Sequence, residues 1–169
     1  RGLDKDTSDI HFGVIQLAMF IGDRFLVTRH NKDSVSTDAV WDAVKANADK
    51  QEFRCDRTAV QLFSRVIRRF LGVLIGLEPR LDELETEIFE RPNDRLLAEL
   101  TRYKGQLRHL RRIANYHFQI AGSLRSHQWA YLGDDLEHEL FDIYEQLERS
   151  MSLSQLYYDL ASDLTDGYL

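Results

Sequence analysis

Three carboxylates in the last third of the chain could bind a metal ion. They are Asp142, Glu145 and Asp166. Carboxylate oxygens are the ligands that hard divalent cations prefer, so such side chains are candidates for a cation site. All three stand in an acidic segment with a helical repeat, where an isolated carboxylate is more often a solvated surface group. Taken alone, the residues favour a solvated acidic face over a metal site.

Histidine spacing offers a second kind of metal chemistry. His109 and His117 are two helical turns apart and lie on one face of a predicted helix, but no third zinc ligand follows at a suitable spacing. A histidine in a helix interface is the simpler interpretation of this pair. His127 and His138 flank a predicted connector, and the same caution applies to any zinc role for them.

Catalytic motifs and a basic face are both missing from the sequence. The chain has no Gly-rich phosphate loop and no nucleophile elbow, so we expect no enzymatic activity. Its 22 basic and 28 acidic residues are interleaved and give a net charge of −6, so we expect no nucleic-acid partner. Arg108, Arg111 and Arg112 form a small basic cluster, which we interpret as a solvated face pairing with acidic neighbours.

Cysteine content and hydropathy indicate the compartment. Cys55 is the single cysteine, and without a signal peptide it predicts a reducing cytoplasm. The longest apolar run, from Phe12 to Ile21, is well short of the roughly 20 residues that a membrane span needs. We therefore expect this chain by itself to be soluble. Because it begins at Arg1 rather than at Met, we expect a fragment of a longer protein.

The elements that must position these side chains are long helices. Apolar residues spaced by three or four predict one helix from about Asp56 to Glu90. Pro79 lies inside it and removes a backbone donor, so a kink or local break is expected near Ile75 to Glu78.

Two further helices follow. The second is capped by Asn93 or Asp94, and its apolar residues recur at steps of four and three from Leu96 to Leu124, which predicts coiled-coil-like packing. A connector from Ser126 to Gly133 leads to a third helix, which starts at Asp134 and runs to the end of the chain.

The first third of the chain is predicted to form β-strands. Gly13 to Ile21 and Arg24 to His30 are rich in β-formers and are separated by Gly22 and Asp23, so they predict a hairpin. Residues 1–9 are polar and are interpreted as a loop. Two strands alone are marginal in water, so the hairpin is expected to be the edge of a larger sheet or to lie against the helices.

A short helix is predicted between the hairpin and the long helices. Ser36 and Thr37 precede an Asp-rich first turn and indicate its start, and it extends to about Ala48. Its apolar face is predicted to comprise Val40, Trp41 and Val44.

Four segments carry a resemblance to a known family. In order they are LEPRLDELETEIFERP, LTRYKGQLRHLRR, LFDIYEQLERS and LASDLTDGYL, and they follow VIQLAMF and RFLVTRH. The series resembles the cytoplasmic part of the CorA family of magnesium transporters. This implies an α+β fold, predominantly α, in which a partial sheet packs with long antiparallel helices. Residues 1–50 would be the C-terminal part of an α/β domain, and 51–169 the two antiparallel helices and the start of a stalk helix.

The resemblance also implies site residues. Asp142 in ELFDIYEQ resembles the regulatory aspartate of the stalk, with Tyr144 and Glu145 following it. Asp166 in LTDGYL resembles an aspartate at the cytoplasmic end of the pore, where five copies would form a ring in a pentamer. The implied ion is Mg²⁺, with Co²⁺ or Zn²⁺ as alternatives.

The implied function is that of a cytoplasmic regulatory domain, which senses a divalent cation and couples it to gating of a magnesium or cobalt channel. The full-length protein would be a homopentamer anchored in the inner (plasma) membrane by a C-terminal part that lies beyond this chain. The family's second sensor carboxylate precedes the matched residues, and the Gly-Met-Asn motif is absent. Two alternatives remain, a zinc transporter of the same superfamily and a cytosolic coiled-coil scaffold that dimerises through the Leu96 to Leu124 seam without metal.

Overall fold

The computed structural model describes residues 2–3, 12–47, 53–126 and 128–168. Its fold is α+β and predominantly α, as the sequence predicts. The strands are β1 (Gly2–Leu3), β2 (Val14–Ile15), β3 (Leu17–Ile21) and β4 (Leu26–His30). The helices are α1 (Val35–Ala46), α2 (Cys55–Glu90), α3 (Asp94–Ser126) and α4 (Glu137–Tyr168), and a 3₁₀ turn, Asp134–Leu136, leads into α4.

The predicted hairpin is confirmed as the antiparallel pair β3–β4, whose register runs from Leu17 opposite His30 to Ile21 opposite Leu26. Its turn is closed by a bond from the Gly22 amide to the Phe25 carbonyl, 2.9 Å long. A Cβ at Gly22 would overlap the Phe25 ring, which explains the glycine.

A second small ladder was not predicted. Gly2–Leu3 pairs antiparallel with Val14–Ile15, so the interpretation of residues 1–9 as a loop is wrong for these two, while residues 1 and 4–9 lie outside the described residues. Leu3 and Ile15 are buried in this ladder. A strand of two residues has no repeat to recognise, and only its distant partner makes it a strand.

Helix α1 begins earlier than predicted. Ser34 is its N-cap and accepts a hydrogen bond from the Thr37 amide, so Ser36 and Thr37 lie inside the helix rather than before it. Val40 is buried, whereas the Trp41 side chain is 61% exposed, so placing Trp41 on the packed face was wrong. Consecutive helical residues point about 100° apart, and the main helix contact of α1 is with α2.

Helix α2 is continuous from Cys55 to Glu90, so the predicted local break near Pro79 does not occur. Proline removes one backbone hydrogen bond in a helix interior. Leu77 and Leu81 on either side of it are fully buried, and their packing holds the helix together through the missing bond.

The three long helices form an antiparallel bundle. Arg80, in the last third of α2, pairs with Glu99 in the first third of α3, with a distance of 3.0 Å between Nε and Oε1. At the other interface, the hydroxyl of Tyr168 at the end of α4 donates to Asp94 at the start of α3, at 3.0 Å. Each helix therefore reverses the direction of the one before it.

The core runs along α4, which packs against both α3 and α2. The predicted 4-3 seam of α3 is confirmed, because its members are buried, apart from the half-buried Leu124. The buried members are Leu96, Leu100, Tyr103, Leu107, Leu110, Ala114, His117 and Ala121. None of the helices in the described ranges combines the length and the apolar content that crossing a membrane requires.

Candidate functional site

A groove of about 350 Å³ lies between α1, α2 and the start of α4, and Asp142 lines it. Its apolar lining comes from Val40 and Ala43 of α1, Val60 of α2 and Leu136. Its polar lining comes from Arg57, Gln61, Ser64, Arg65, Arg68, Glu139 and Asp142. Basic and acidic side chains therefore share one open space.

The basic wall of the groove is one stripe of α2. Arg57, Gln61, Arg65 and Arg68 follow each other at steps of three or four, which keeps them on one helical face. Apolar residues at intervening positions of α2 are buried in the bundle, so the arginine stripe faces solvent.

The acidic wall is one turn of α4. Glu139 and Asp142 are three residues apart and line the same groove. Leu140 and Ile143, between and beside them, are buried against the bundle. Asp142 is exposed and Glu139 is half-buried.

The two walls do not touch by ion pairing. In the described part of the chain, Arg57 pairs with Asp135 at 3.3 Å, but Arg65 and Arg68 have no carboxylate within 4 Å. Among the described residues, the carboxylates of Glu139 and Asp142 likewise have no Lys, Arg or His nitrogen within 4 Å.

A side-chain clamp sets the distance between the walls at one end. The Arg54 guanidinium donates to Asp135 at 2.6 and 2.8 Å and to Asp56 at 2.7 Å. The Gly133 amide also donates to Asp56, at 3.1 Å. These bonds join the start of α2 to the turn before α4, so the two helices leave the clamp side by side in the same direction.

The clamp shifts the pKa values of its members. The hydrogen bonds from Arg54 lower the pKa of Asp56 to about 2, although burial opposes this shift. The pKa of Asp135 also lies below its ordinary value, again mainly because of Arg54. Burial raises the pKa of the neighbouring Cys55 thiol, which keeps it protonated and unreactive.

Glu145 and Asp166 are not brought to the groove. Glu145 is exposed one turn beyond Asp142 and is not among the residues that line the groove. Asp166 is also exposed, but it lies near the end of α4, about 36 Å from Asp142 at a rise of 1.5 Å per residue. One chain therefore presents the predicted carboxylates at two separate levels of a single helix.

The groove meets the needs of a hydrated magnesium ion only in part. Mg²⁺ is commonly bound through one or two carboxylates with several waters, a number that Asp142 and Glu139 match. Among the described residues no group of three or more His, Cys, Asp or Glu side chains is arranged to hold a metal. The nearby guanidinium groups of Arg65 and Arg68 also repel a cation.

His109 and His117 match the interface interpretation. His117 is buried, and its ring contacts those of Phe63 and Phe70 edge-on, with centroids 6.0 and 5.4 Å away. His109 instead stacks on Phe12 at 5.9 Å. His138 is exposed, and His127 lies outside the described residues.

The predicted acidic pairing of the small basic cluster on α3 is wrong for all three of its members. Arg108 lies over the Tyr158 ring at 5.7 Å, and Arg112 contacts His109 at 3.0 Å. No ion pair of Arg108, Arg111 or Arg112 with a carboxylate occurs in the ranges that the structure describes.

The groove arginines and Glu139 were not identified from the sequence. The only pattern in the sequence that could have revealed this wall is the spacing of three or four residues between polar side chains from Arg57 to Arg68. Any solvated helical face has the same spacing. That this face lies opposite Asp142 depends on how α2 and α4 pack.

Comparison with known proteins identified one family, and the solved structures similar to this chain include two of CorA. A family model described as "CorA-like Mg2+ transporter protein" matches residues 1–169. The complete structure of the CorA magnesium transporter from Methanocaldococcus jannaschii is similar with a TM-score of 0.72 at 12% identity, over 98% of this chain and 56% of that one. The soluble domain of CorA from the same organism has a TM-score of 0.67 at 12% identity, over 97% and 71% of the two chains.

The sequence identity and the coverage limit what the similarity to these two structures establishes. At 12% identity the two structures establish a shared fold, and the chain spans 56% of the length of the complete transporter. A comparison with curated proteins found no match.

Proposed function

Because this chain belongs to the CorA-like Mg²⁺ transporter family, we propose that it is a cytoplasmic regulatory part of a divalent-cation transporter. In this role it binds a divalent cation from the cytoplasm and couples the binding to the opening of a pore. Mg²⁺ is the proposed transported ion. The match to the family over residues 1–169 and the fold shared with a CorA soluble domain support the proposal.

The continuity of α4 is the observation that supports coupling between the Asp142 end and the Asp166 end of this helix. This helix runs from Glu137 to Tyr168 and bears both Asp142 and Asp166. A displacement at the Asp142 end is therefore passed to the Asp166 end by a rigid element rather than through a loop. The Tyr168 hydroxyl bonded to Asp94 ties the far end of α4 to α3, so α3 moves with it.

The proposed sensor is shared between subunits of a homopentamer. Asp142 contributes one carboxylate, and a neighbouring subunit contributes the second. A hydrated Mg²⁺ bridges these like charges, and in its absence their repulsion loosens the interface. Cation occupancy then favours one closed arrangement, so the ion limits its own entry. Glu145 and the ring of five Asp166 side chains are proposed as further contacts of the ion.

The pore itself is proposed to lie outside this chain. It would be anchored in the inner (plasma) membrane, with the present residues on the cytoplasmic face. Co²⁺ and Zn²⁺ remain alternative ions. We propose no enzymatic activity and no nucleic-acid partner.

The scaffold alternative is weakened by one feature of α3. Dimerisation through the Leu96 to Leu124 seam requires that seam to be available to a second copy. Its apolar residues are instead buried within this chain, where α3 packs along α4.

Transport by the full-length protein tests the proposed function. The protein is reconstituted in vesicles, and Mg²⁺ uptake is followed with the cytoplasmic side at low or high Mg²⁺. We expect high Mg²⁺ to inhibit uptake by the wild-type protein and to inhibit Asp142→Asn much less. Glu148→Gln, an exposed carboxylate on the same helix, is the matched control. Equal inhibition of all three proteins would refute a regulatory role for Asp142.

A further inference from the structure

The groove between α1, α2 and α4 has opposite charges on its two long walls. Arg65 and Arg68 stand on the α2 wall. Glu139 and Asp142 stand on the α4 wall. Within the residues that the structure describes, no ion pair within 4 Å neutralises any of these four side chains. Two positive and two negative charges are therefore available in one open space.

The balance of these charges determines what kind of ligand the groove of a single chain attracts. Arg57 does not alter the balance, because Asp135 pairs with it at 3.3 Å. A simple cation is attracted by the acidic wall and repelled by the basic wall, and a simple anion meets the reverse. A ligand that bears both charges is attracted at both walls. The groove therefore favours a zwitterion over an ion of one sign.

The remaining lining indicates the size and the body of such a ligand. The groove has a volume of about 350 Å³, which is at the lower end of the range of roughly 300 to 1,000 Å³ for small-ligand clefts. Four apolar side chains line it as well, namely Val40, Ala43, Val60 and Leu136. A ligand with a short aliphatic part can bury that part against them.

The separation of the two walls follows from helix packing. Helix α2 packs directly against α4, and the axes of helices in contact are about 8 to 10 Å apart. The Arg54 clamp holds the two helices together at one end of the groove. Charge-assisted hydrogen bonds are about 2.8 Å long, so a ligand with its carboxylate and ammonium on the same carbon atom bridges a gap of roughly 8 Å.

We propose that this groove binds a small zwitterion of the α-amino acid class. Arg65 and Arg68 hold the ligand's carboxylate, because the planar guanidinium group matches the geometry of a carboxylate. Glu139 and Asp142 hold its ammonium group, and the apolar lining covers an aliphatic side chain. The bound amino acid joins α2 to α4 and stabilises their packing. The inference does not rest on the proposed function, in which Asp142 shares a cation with a neighbouring subunit.

Three ligands with the same aliphatic end separate the two charges. Leucine has both, 4-methylpentanoate lacks the ammonium, and 3-methylbutylamine lacks the carboxylate. Each is titrated by calorimetry into the full-length protein in detergent micelles at pH 7 and constant ionic strength, and into empty micelles to subtract partitioning. Divalent cations are left out, because a cation at Asp142 competes with the ammonium.

We expect wild type to bind leucine with a Kd of about 0.1 to 1 mM, as is ordinary for a ligand of this size. The other two ligands should bind at least about tenfold more weakly, since each lacks one set of charge-assisted hydrogen bonds.

Variants of one wall test which charge of the ligand that wall binds. Arg65→Gln combined with Arg68→Gln should weaken leucine binding about tenfold or more and abolish the preference for leucine over 3-methylbutylamine. Glu139→Gln combined with Asp142→Asn should abolish the preference for leucine over 4-methylpentanoate. A general loss of structure does not change these two preferences in opposite ways.

Matched controls remove the same charges outside the groove. Arg111→Gln on α3 and Glu148→Gln on α4 alter exposed side chains that do not line it, and both should bind leucine as wild type does. The proposal is overturned if wild type shows no saturable binding of leucine, or if it binds either singly charged ligand as tightly as leucine. If a double variant does not fold, this comparison of ligands on wild type still decides the outcome.

Discussion

The guanidinium of Arg54, at the start of α2, binds the carboxylate of Asp135, 81 residues later, with an Nη1 to Oδ2 distance of 2.6 Å. This contact brings the first turns of α2 and α4 together. The same guanidinium holds Asp56. Because Glu139 and Asp142 follow Asp135 within two helical turns, the clamp also determines where these carboxylates stand relative to the α2 arginines.

Asp56 should make stability depend on acid pH. Its pKa falls from 3.8 to about 2 in the folded protein. A lowered folded-state pKa stabilises the protein above the unfolded-state value, and that contribution is lost as pH falls through about 4 to 2. We expect Asp56→Asn to lower the free energy of unfolding by about 1 to 2 kcal/mol at pH 7, after allowance for the partly exposed Arg54.

Urea unfolding at pH 7 and pH 3 measures this effect. The difference between the variant and wild type should narrow at the lower pH. Asp42→Asn is the control, because its carboxylate is 73% exposed and pairs with Lys45 within α1. A difference that is the same at both pH values would contradict the assignment of the shift to Asp56.

Arg80 links α2 to α3 through a network of carboxylates. It contacts Glu83, Glu87 and Glu99, and it lowers the pKa of Glu99, whose side chain is only 17% exposed. Arg80→Ala leaves Glu99 partly buried without its partner, so we expect a loss of about 1 to 2 kcal/mol in the free energy of unfolding.

Arg80→Lys separates charge from geometry in this network. Lysine keeps the charge but lacks the planar fork that binds Glu99 through two nitrogens, so we expect an intermediate loss. Denaturant titration at low and high salt is the measurement. Equal stability of the lysine variant and wild type would show that charge alone suffices.

The seam of α3 should be sensitive to truncation. Leu107 is fully buried between helices, so Leu107→Ala should lower the free energy of unfolding by about 2 to 5 kcal/mol. Leu156→Ala removes the same atoms from a side chain that is 60% exposed and should cost well under 1 kcal/mol. Chemical denaturation of the two variants provides the comparison, and similar losses would contradict the packing of α3 on α4.

Pro79 should be a site at which the protein can be stabilised. Since α2 continues through it, Pro79→Ala restores a backbone donor to a helix that already exists. The unfolded chain gains entropy from the same change, which reduces the benefit. We expect a net gain of about 1 to 2 kcal/mol by thermal unfolding. A destabilised variant would indicate that the helix requires proline geometry at this position.

The helices could be predicted from the sequence because their evidence is local. The step of four and three from Leu96 to Leu124 records which face of α3 is buried, whatever it packs against. The apolar pattern of α2 likewise predicted a helix to Glu90. The local break that Pro79 was expected to cause does not occur, because its neighbours Leu77 and Leu81 are buried. The short ladder between Leu3 and Val14 left no local pattern, because both strands are two residues long.

By itself, the sequence determined the α+β class, the three long helices, the β3–β4 hairpin and the family, because each depends on the order and periodicity of residues along the chain. Tertiary structure alone decided that Arg65 and Arg68 face the groove that contains Asp142, that Arg54 clamps Asp135, and that Asp166 stands far from Asp142. The physical reason is that helix periodicity defines a face but not its partner. Which faces meet is decided by packing between residues that are far apart in the chain.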